Sequence, residues 1–231
     1  MEIRARQRRM AVAGALVFVI VVFLVYLCWP QGPFYHGRSL KAWLQDFTNP
    51  LRHASGIPLQ NLPAEMGARM EGAQRAVKAI GTNAIPTLLQ YVQAKDSGVG
   101  HVVAAPIAPR SFAGDWFPSA SEKHAMAQAG FTILAKDALP AEPALVALTR
   151  DNDPSVRMTA FECLFFVVQP DYKTLATILV PFGHDPDRYN RERAVEHMRM
   201  CVAIITPEEA EKAGVYEAFP ELRTSTATGS H

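Results

Sequence analysis

The feature of this sequence that most constrains the fold is a repeat with a period of about 34 residues. Charged residues recur at this spacing: Asp151 with Asp185, Asp153 with Asp187, and Arg157 with Arg191. Asp153 can accept a hydrogen bond from the first free N–H groups of a helix, and Pro154 fits the first helical turn. Units of this length that read helix, turn, helix bury their apolar faces only by stacking on one another. The repeat therefore predicts an all-α fold, an α-α superhelix of stacked helical pairs.

Further helix starts fall in phase with the repeat. Asn83 and Asp137 each stand three residues before a proline, which predicts a capping side chain and a proline within the first turn. Asp171 follows Asp137 by one repeat period, and Thr206 begins a capping-box pattern almost one period after that. Helices are predicted over residues 63–80, 122–134, 138–149, 155–169, 172–182, 188–205 and 207–219. The repeat domain thus spans residues 63–219, and residues 220–231 have the composition of a disordered tail.

One interval in this pattern is longer, because Asp137 comes more than half a period later than the repeat would place it after Asn83. Residues 95–120 are therefore predicted to be an insertion, and Ser121 is predicted to cap the helix that follows. A segment of this length inside a compact domain is either functional or poorly ordered. Its aromatic residues make it a candidate protein-binding flap: Phe112, Trp116 and Phe117. An inert insertion is the alternative that the sequence leaves open.

The N-terminal part of the chain has the pattern of a membrane anchor. Residues 11–29 form an uncharged apolar run, about the length that a helix needs to cross a ~30 Å hydrocarbon core. A cleaved secretory signal has a shorter apolar region that ends in small residues, whereas this run ends in Tyr26, Cys28 and Trp29. A lipoprotein site at Cys28 is disfavoured because bulky residues precede it. We predict a single transmembrane helix over residues 11–29.

The distribution of charge predicts the orientation of this anchor. Basic residues cluster before the apolar run: Arg4, Arg6, Arg8 and Arg9. Because positive segments stay on the cytoplasmic side, residues 1–10 are predicted to be cytoplasmic and the repeat domain extracytoplasmic. In the rest of the chain acidic residues slightly outnumber basic ones. No basic field remains for phosphates, so nucleic acid is not an expected partner.

Residues 30–62 connect the anchor to the repeats. Residues 31–38 contain Pro and Gly and are predicted to be a short tether. Ser39 fits a helix cap, and apolar residues follow it at helical spacing: Leu40, Trp43, Leu44 and Phe47. We expect this helix to cover the near end of the stack, which would otherwise expose apolar surface. Residues 48–62 are predicted to be a loop.

The run DPSVR at residues 153–157, followed by Ala160 and Leu164, resembles the HEAT or HEAT-like repeat, a type also found in bilin lyases. Over residues 35–205 the chain resembles bacterial membrane-anchored HEAT-repeat proteins of unassigned function, through the runs YHGRSLKAWL and AIGTNAIP. The resemblance implies a curved helical array that binds other proteins, in the bacterial inner (cytoplasmic) membrane. It also implies a structural ladder: Asp151, Asp153, Arg157, Asp185, Asp187 and Arg191. The last repeat departs from the pattern, because Asn190 stands where Val156 does.

The sequence shows no recognised catalytic or phosphate-binding motif. One coincidence concerns metal binding: Cys163 and His197 occupy equivalent positions in adjacent repeats, as do Glu162 and Glu196. Two stacked helices produce the same pattern without a metal, and we predict neither a metal nor a cofactor. A disulfide between Cys163 and Cys201 is permitted outside the cytoplasm. These two positions are not equivalent, which favours buried free thiols.

The helix predicted over residues 155–169 carries two specific predictions. Arg157 projects onto the apolar side, where an unpaired charge is costly, so it should pair with Asp151, Asp185 or Asp187. Phe166 projects into the polar face formed by Ser155, Thr159, Glu162 and Gln169, and is predicted to be exposed. Burial of its ring by the insertion or by a neighbouring repeat is the alternative. On a concave surface, Phe166 with Glu162 and Glu196 would form an aromatic spot ringed by carboxylates, suited to a basic or amphipathic partner.

Together these features predict a membrane-tethered HEAT-repeat scaffold that binds a protein partner outside the cytoplasm and is not an enzyme. Two alternatives stay open. One is a HEAT-like lyase or other unrecognised enzyme, and the other is a structural subunit of an envelope complex. A perturbed Cys, His or Glu in a closed pocket would favour the enzyme, whereas an open surface with exposed aromatic residues would favour binding.

Overall fold

The computed structural model describes residues 32–53, 63–95, 118–169 and 171–225, together with Phe18 alone. The chain divides into two compact units, Met1–Gly32 and Pro33–His231, and almost all described residues belong to the second. The described part is mostly helical, which confirms the all-α prediction. No helix in this part has both the length and the apolar composition to cross a bilayer. The transmembrane helix predicted over residues 11–29 lies outside the described residues except for Phe18.

The elements follow one another in a simple order along the chain. They are strands β1 (Phe34–Tyr35) and β2 (Arg38–Ser39) and helices α1 (Leu40–His53), α2 (Ala64–Ile80), α3 (Ile85–Val92), α4 (Ala120–Leu134), α5 (Glu142–Leu148), α6 (Pro154–Val168), α7 (Tyr172–Leu179), α8 (Arg188–Val202), α9 (Pro207–Lys212), α10 (Val215–Ala218) and α11 (Glu221–Ser225). Short 3-10 helices precede α3 and α5 and follow α7: Gly81–Ala84, Ala135–Ala141 and Val180–His184.

The predicted tether before α1 is folded. Strands β1 and β2 form a small antiparallel hairpin. The indole Nε1 of Trp43 donates to the carbonyl of Tyr35 at 3.2 Å, and the Arg38 guanidinium lies 4.2 Å above the Trp43 ring. These contacts hold the hairpin against α1, whose Leu40 and Leu44 are fully buried against the neighbouring helices. Helix α1 also continues to its end at residue 53, so residues 48–53 are helical and not loop as predicted.

Side-chain caps begin several helices, as predicted. The N–H groups of the first turn donate to the side chains of Asp153, Asp171, Asp187 and Thr206, which cap α6, α7, α8 and α9. The start of α4 differs from the prediction, because its cap is Ser119 and not Ser121. Ser119 stands three residues before Glu122, and the two residues form a capping box in which each side chain bonds the other's backbone N–H.

Asn83 and Asp137 do not cap helices, contrary to the prediction. Gly81 ends α2 at a φ of 61°, and Ala135 ends α4 at a φ of 47°, so the chain turns sharply at both positions. Asn83 and Asp137 lie inside the 3-10 helices that follow, and neither makes a capping hydrogen bond. The turns at Gly81 and Ala135 are equivalent in sequence and are two copies of one connection.

Helix α6 lies at the centre of the described fold. It packs against α4 and α5 before it in the chain and against α7 after it. Its residues are therefore buried on nearly every side, including Thr159, which the single-helix pattern placed on the polar face. A helix that is apolar all round belongs in a core. The core extends from this helix in both directions through the fully buried rings of Phe131 and Phe219.

The C-terminal end departs from the prediction in two ways. The helix predicted over residues 207–219 is broken into α9 and α10 at Gly214, which has a φ of 77°. The predicted disordered tail begins with helix α11, whose Leu222 is only 1% exposed. Residues 221–225 therefore belong to the folded unit, because an apolar side chain anchors them. Residues 226–231 lie outside the described part.

Candidate protein-binding surfaces

The charged residues of the repeat form a ladder between successive units. Arg157 donates from Nε and Nη2 to the two carboxylate oxygens of Asp185, at 2.8 and 2.7 Å. Its Nη1 donates to the carbonyls of Asp151 and Asn152, at 3.0 and 3.1 Å. The guanidinium thus bridges one repeat to the next. The pairing predicted for Arg157 is present, and the partner is Asp185.

The acids of the ladder are held by the helix caps that follow them. The N–H of Asp187 donates to Asp185 at 2.8 Å, and the N–H of Asp153 donates to Asp151 at 2.8 Å. Burial raises the pKa of Asp185, but the hydrogen bonds from Arg157 and Asp187 outweigh it and hold the pKa below its usual value. Asp153 and Asp187 therefore orient the ladder acids and cap helices, and they do not bind Arg157 directly.

Neighbouring rungs of the ladder use other cations. Lys95 Nζ lies 2.8 Å from Oδ1 of Asp151, so a lysine at the edge of the predicted insertion replaces an arginine there. Arg191 Nη1 donates to the carbonyl of Asp185, as Arg157 does to the carbonyl of Asp151. The part played by Lys95 was not predicted, because it falls outside the spacing of the repeat.

A second set of side-chain contacts joins α6 to α4 and to α8. Gln128, Glu162 and Glu196 follow one another at intervals of one repeat period. Gln128 Nε2 donates to Oε2 of Glu162, and Arg193 Nη2 donates to Oε1 of the same carboxylate at 2.9 Å. Glu196 pairs with Arg199 on its own helix. These bonds tie α6 to α4 and to α8, and the repeat spacing between Gln128 and Glu162 is the sequence signal that would have identified Gln128.

Phe166 is not exposed, contrary to the prediction. Its ring is half-buried, packs on the core and lies 5.8 Å from the ring of Phe165. Glu162 is only 15% exposed, and both its oxygens accept hydrogen bonds from flanking helices. Since Glu196 is also paired, neither carboxylate is free beside the ring. The prediction failed because the projection of one helix does not show the neighbours that cover it.

Exposed apolar side chains are found on α8 and just beyond it. Tyr189 is 61% exposed, Met200 is 46% exposed and Ile204 is 58% exposed. Four residues share one face of α8 at helical spacing, and they define the Tyr189–Met200 face: Tyr189, Arg193, Glu196 and Met200. Met200 stands one repeat period after Phe166. The surface predicted around Phe166 therefore continues onto α8, where the equivalent side chain is open to solvent.

The two cysteines that the structure describes are buried free thiols, Cys163 and Cys201. Burial raises the pKa of Cys163 well above its usual value and that of Cys201 to about 11, so neither supplies a thiolate near neutral pH. His197 is enclosed by the rings of Phe161 and Phe165, at 5.0 and 4.8 Å between centroids. Across the described ranges, no group of His, Cys, Asp and Glu residues is arranged to hold a metal ion.

The predicted insertion is described only at its edges. Residues 96–117 lie outside the described part, so the candidates Phe112, Trp116 and Phe117 stay predictions. At the start of the segment, the carbonyl of Ala94 lies 2.9 Å from Nε2 of the buried His124 in α4. This contact ties the end of α3 to the helix that follows the insertion.

Comparisons with protein-family models, with curated proteins and with solved structures found no match for this chain. The likeness to HEAT repeats therefore depends on the residues and contacts of the chain itself. Two contacts join successive repeats, namely Arg157 with Asp185 and Gln128 with Glu162. These contacts show that residues of successive sequence repeats lie close together in space, which the spacing alone did not show.

Proposed function

We propose that the chain is a short HEAT-like α-α superhelix that is anchored in the bacterial inner membrane by residues 11–29 and binds a protein partner outside the cytoplasm. One observation carries this proposal: Gln128 and Arg193 meet on the carboxylate of Glu162 and so link α4, α6 and α8. Stacked helical repeats use such rows of neighbouring helices as extended binding surfaces. The anchor and its orientation are supported by the apolar run and the N-terminal arginines.

The Tyr189–Met200 face is the docking surface that we propose. Its charges are already paired, Arg193 with Glu162 and Glu196 with Arg199. Tyr189 and Met200 are therefore its accessible anchors, about 16 Å apart along α8 at ~1.5 Å per residue. Aromatic and Met side chains often dominate interface energy and adapt to a partner's shape. An amphipathic helix with apolar residues on one face, at a matching separation, fits this strip.

The environments of the thiols and the imidazole argue against these groups as catalysts. Cys163 is fully buried, and its pKa is raised by that burial. His197 lies against two phenylalanine rings and is only 7% exposed. A substrate could not reach either group without displacing the core around α6. We therefore propose a role as a scaffold and not as a lyase.

Affinity capture of the tagged full-length protein from detergent-solubilised membranes tests this function. The variants are Tyr189→Ser and Met200→Ser, and the control is Leu139→Ser, whose parent side chain has the same 46% exposure as Met200. We expect wild type and Leu139→Ser to retain one common partner, and the two face variants to retain at least about tenfold less, since truncating an interface hot spot costs about 2 kcal/mol or more and about 1.4 kcal/mol is tenfold in affinity. Equal recovery by all four proteins, or no partner for wild type, would overturn the proposal.

Topology is tested separately. A reporter that is active only outside the cytoplasm should work when fused to the C-terminus of the full-length protein. Activity of a cytoplasm-specific reporter at the same position would overturn the proposed orientation.

A further inference from the structure

The Tyr189–Met200 face has the same order of side chains in both directions along α8. From its N-terminal end it carries an apolar residue, a cation, an anion and an apolar residue: Tyr189, Arg193, Glu196 and Met200. The steps between them are four, three and four residues, so the two halves of the face are related by reversal. Reversal matches Tyr189 with Met200 and Arg193 with Glu196. The first match is apolar, and the second joins opposite charges.

Two copies of this face therefore complement each other when they meet antiparallel. A two-fold axis at the middle of α8 places each residue of the face opposite its reversed counterpart in the second copy. Residues spaced alternately by three and four lie along one stripe of a helix, which is the stripe by which two helices pack together. The central charges fix the register, because a slip of about one turn would bring two Arg193 or two Glu196 side chains together.

The side chains of the face are exposed, although two of them already have a partner in their own chain. Tyr189 and Met200 are 61% and 46% exposed, and the side chains of Arg193 and Glu196 are 40% and 60% exposed. Arg193 binds Glu162 through Nη2, and Glu196 binds Arg199 through Oε1. Within the described residues, Nη1 of Arg193 and Oε2 of Glu196 make no hydrogen bond. A second copy could thus pair with both groups without breaking the contacts inside the chain.

We propose that the partner of the Tyr189–Met200 face is a second copy of this chain, bound antiparallel through α8 about a two-fold axis. This inference rests on the docking surface proposed above and names its occupant. Helix α8 is itself an amphipathic helix whose Tyr and Met lie at the matching separation. Copies that share a membrane meet at a raised effective concentration, which suits a contact made by one face of one helix.

Disulfide cross-linking in native membranes tests both the occupant and the register. Two full-length forms with different tags are produced together, one with Tyr189→Cys and the other with Met200→Cys, and both carry Cys28→Ser. The buried thiols of Cys163 and Cys201 stay in place. After copper-catalysed oxidation, the mixed pair should cross-link at least about tenfold faster than either form alone, because equal positions lie about 16 Å apart in the antiparallel pair and a disulfide needs Cα atoms within ~7 Å.

Matched variants test the charges and the background of random collisions. Glu196→Lys in both copies should slow cross-linking of the mixed pair several-fold, because each Arg193 would then face a lysine. Glu208→Lys makes the same charge change at an exposed position on α9 and should leave the rate unchanged. Leu139→Cys alone, at a side chain as exposed as Met200, gives the rate of random collisions.

Two results would overturn the inference. One is cross-linking of a single form as fast as the mixed pair, and the other is cross-linking of the mixed pair no faster than Leu139→Cys. In affinity capture, the second copy is recovered as untagged chain when tagged and untagged forms are produced together. If the face captured a different protein and the mixed pair did not cross-link, this inference alone would fail. If wild type captured no partner either, the proposed function would fail with it.

Discussion

Arg157→Ala removes the cation from the buried ion pair of the ladder. The side chains of Arg157 and Asp185 are 10% and 5% exposed, so little water can replace the lost guanidinium. Asp185 would keep the N–H of Asp187 but lose two charge-assisted hydrogen bonds. The carbonyls of Asp151 and Asn152 would lose a donor in the same step.

The expected cost follows from the uncompensated buried charge. Removing one partner of a buried ion pair costs about 3 to 5 kcal/mol, a large part of the ~5 to 15 kcal/mol that typically stabilises a fold. At about 2 to 4 °C per kcal/mol for a domain of this size, the Tm should fall by roughly 6 to 20 °C. Arg188→Ala is the matched control, because its pair with Glu192 is 85% and 61% exposed and should not change the Tm measurably.

Thermal unfolding of the full-length protein, followed by far-UV circular dichroism, measures this difference. Arg157→Met combined with Asp185→Leu should recover most of the lost stability, since replacing both charges by apolar side chains removes the desolvation cost. If Arg157→Ala melted at the temperature of Arg188→Ala, the ion pair would not hold the repeats together and the reasoning would be refuted.

The pH dependence of stability gives a second readout of the same substitution. The folded-state pKa of Asp185 is lowered, so its contribution is fully present above an unfolded pKa of about 3.9 and is lost as the pH falls through the folded value. In Arg157→Ala that pKa should rise, because the burial stays while the two hydrogen bonds from the guanidinium are lost. Wild type should therefore lose stability below about pH 4 more steeply than Arg157→Ala. If the free energy of unfolding fell equally with pH in both proteins, Asp185 would not be stabilised by Arg157.

Three further predictions concern other parts of the fold. Gly130→Ala should destabilise by about 1 to 3 kcal/mol in a denaturant titration, because its Cβ would overlap the side chain of the fully buried Leu88. Ala135→Gly should stabilise by about 1 kcal/mol in the same titration, since Ala135 holds a positive φ that its counterpart Gly81 adopts freely, and Gly81→Ala should do the reverse. Cys163 should react with a thiol reagent only at the rate of unfolding, and rapid labelling of the native protein would contradict its burial.

The helix starts that could be predicted are those in which a side chain alone supplies the cap. Asp153 and Asp187 each end a non-helical turn, so their carboxylates accept hydrogen bonds from the free N–H groups at the start of the next helix. Asn83 and Asp137 look the same in sequence, yet positive-φ turns two residues earlier carry the backbone directly into 3-10 helices. The turn at Ala135 was not predicted, because alanine rarely adopts that conformation.

The ladder could be predicted because a charge on an apolar helix face must find a partner, and the repeat limited the candidates for Arg157. The surface near Phe166 could not be predicted, because the exposure of a side chain on α6 depends on which helices flank it. Residues of α6 that project outward, such as Thr159, are buried by those neighbours. The same projection succeeds better for α8, where Met200 at the equivalent position is exposed.

The most direct test of the proposed stack is the distance between α4 and α8, which are the second helices of two helical pairs that lie two repeats apart. Spin labels at Thr132 in α4 and Met200 in α8, both exposed and two repeats apart, are measured by double electron–electron resonance, with native cysteines replaced by alanine. Helices that stack side by side lie about 8 to 10 Å apart, so two steps plus the label linkers give a single distance of roughly 20 to 30 Å. A distance above about 40 Å, twice the span of two such helix-to-helix steps, or a distribution without a defined maximum, would contradict the stacked-repeat account.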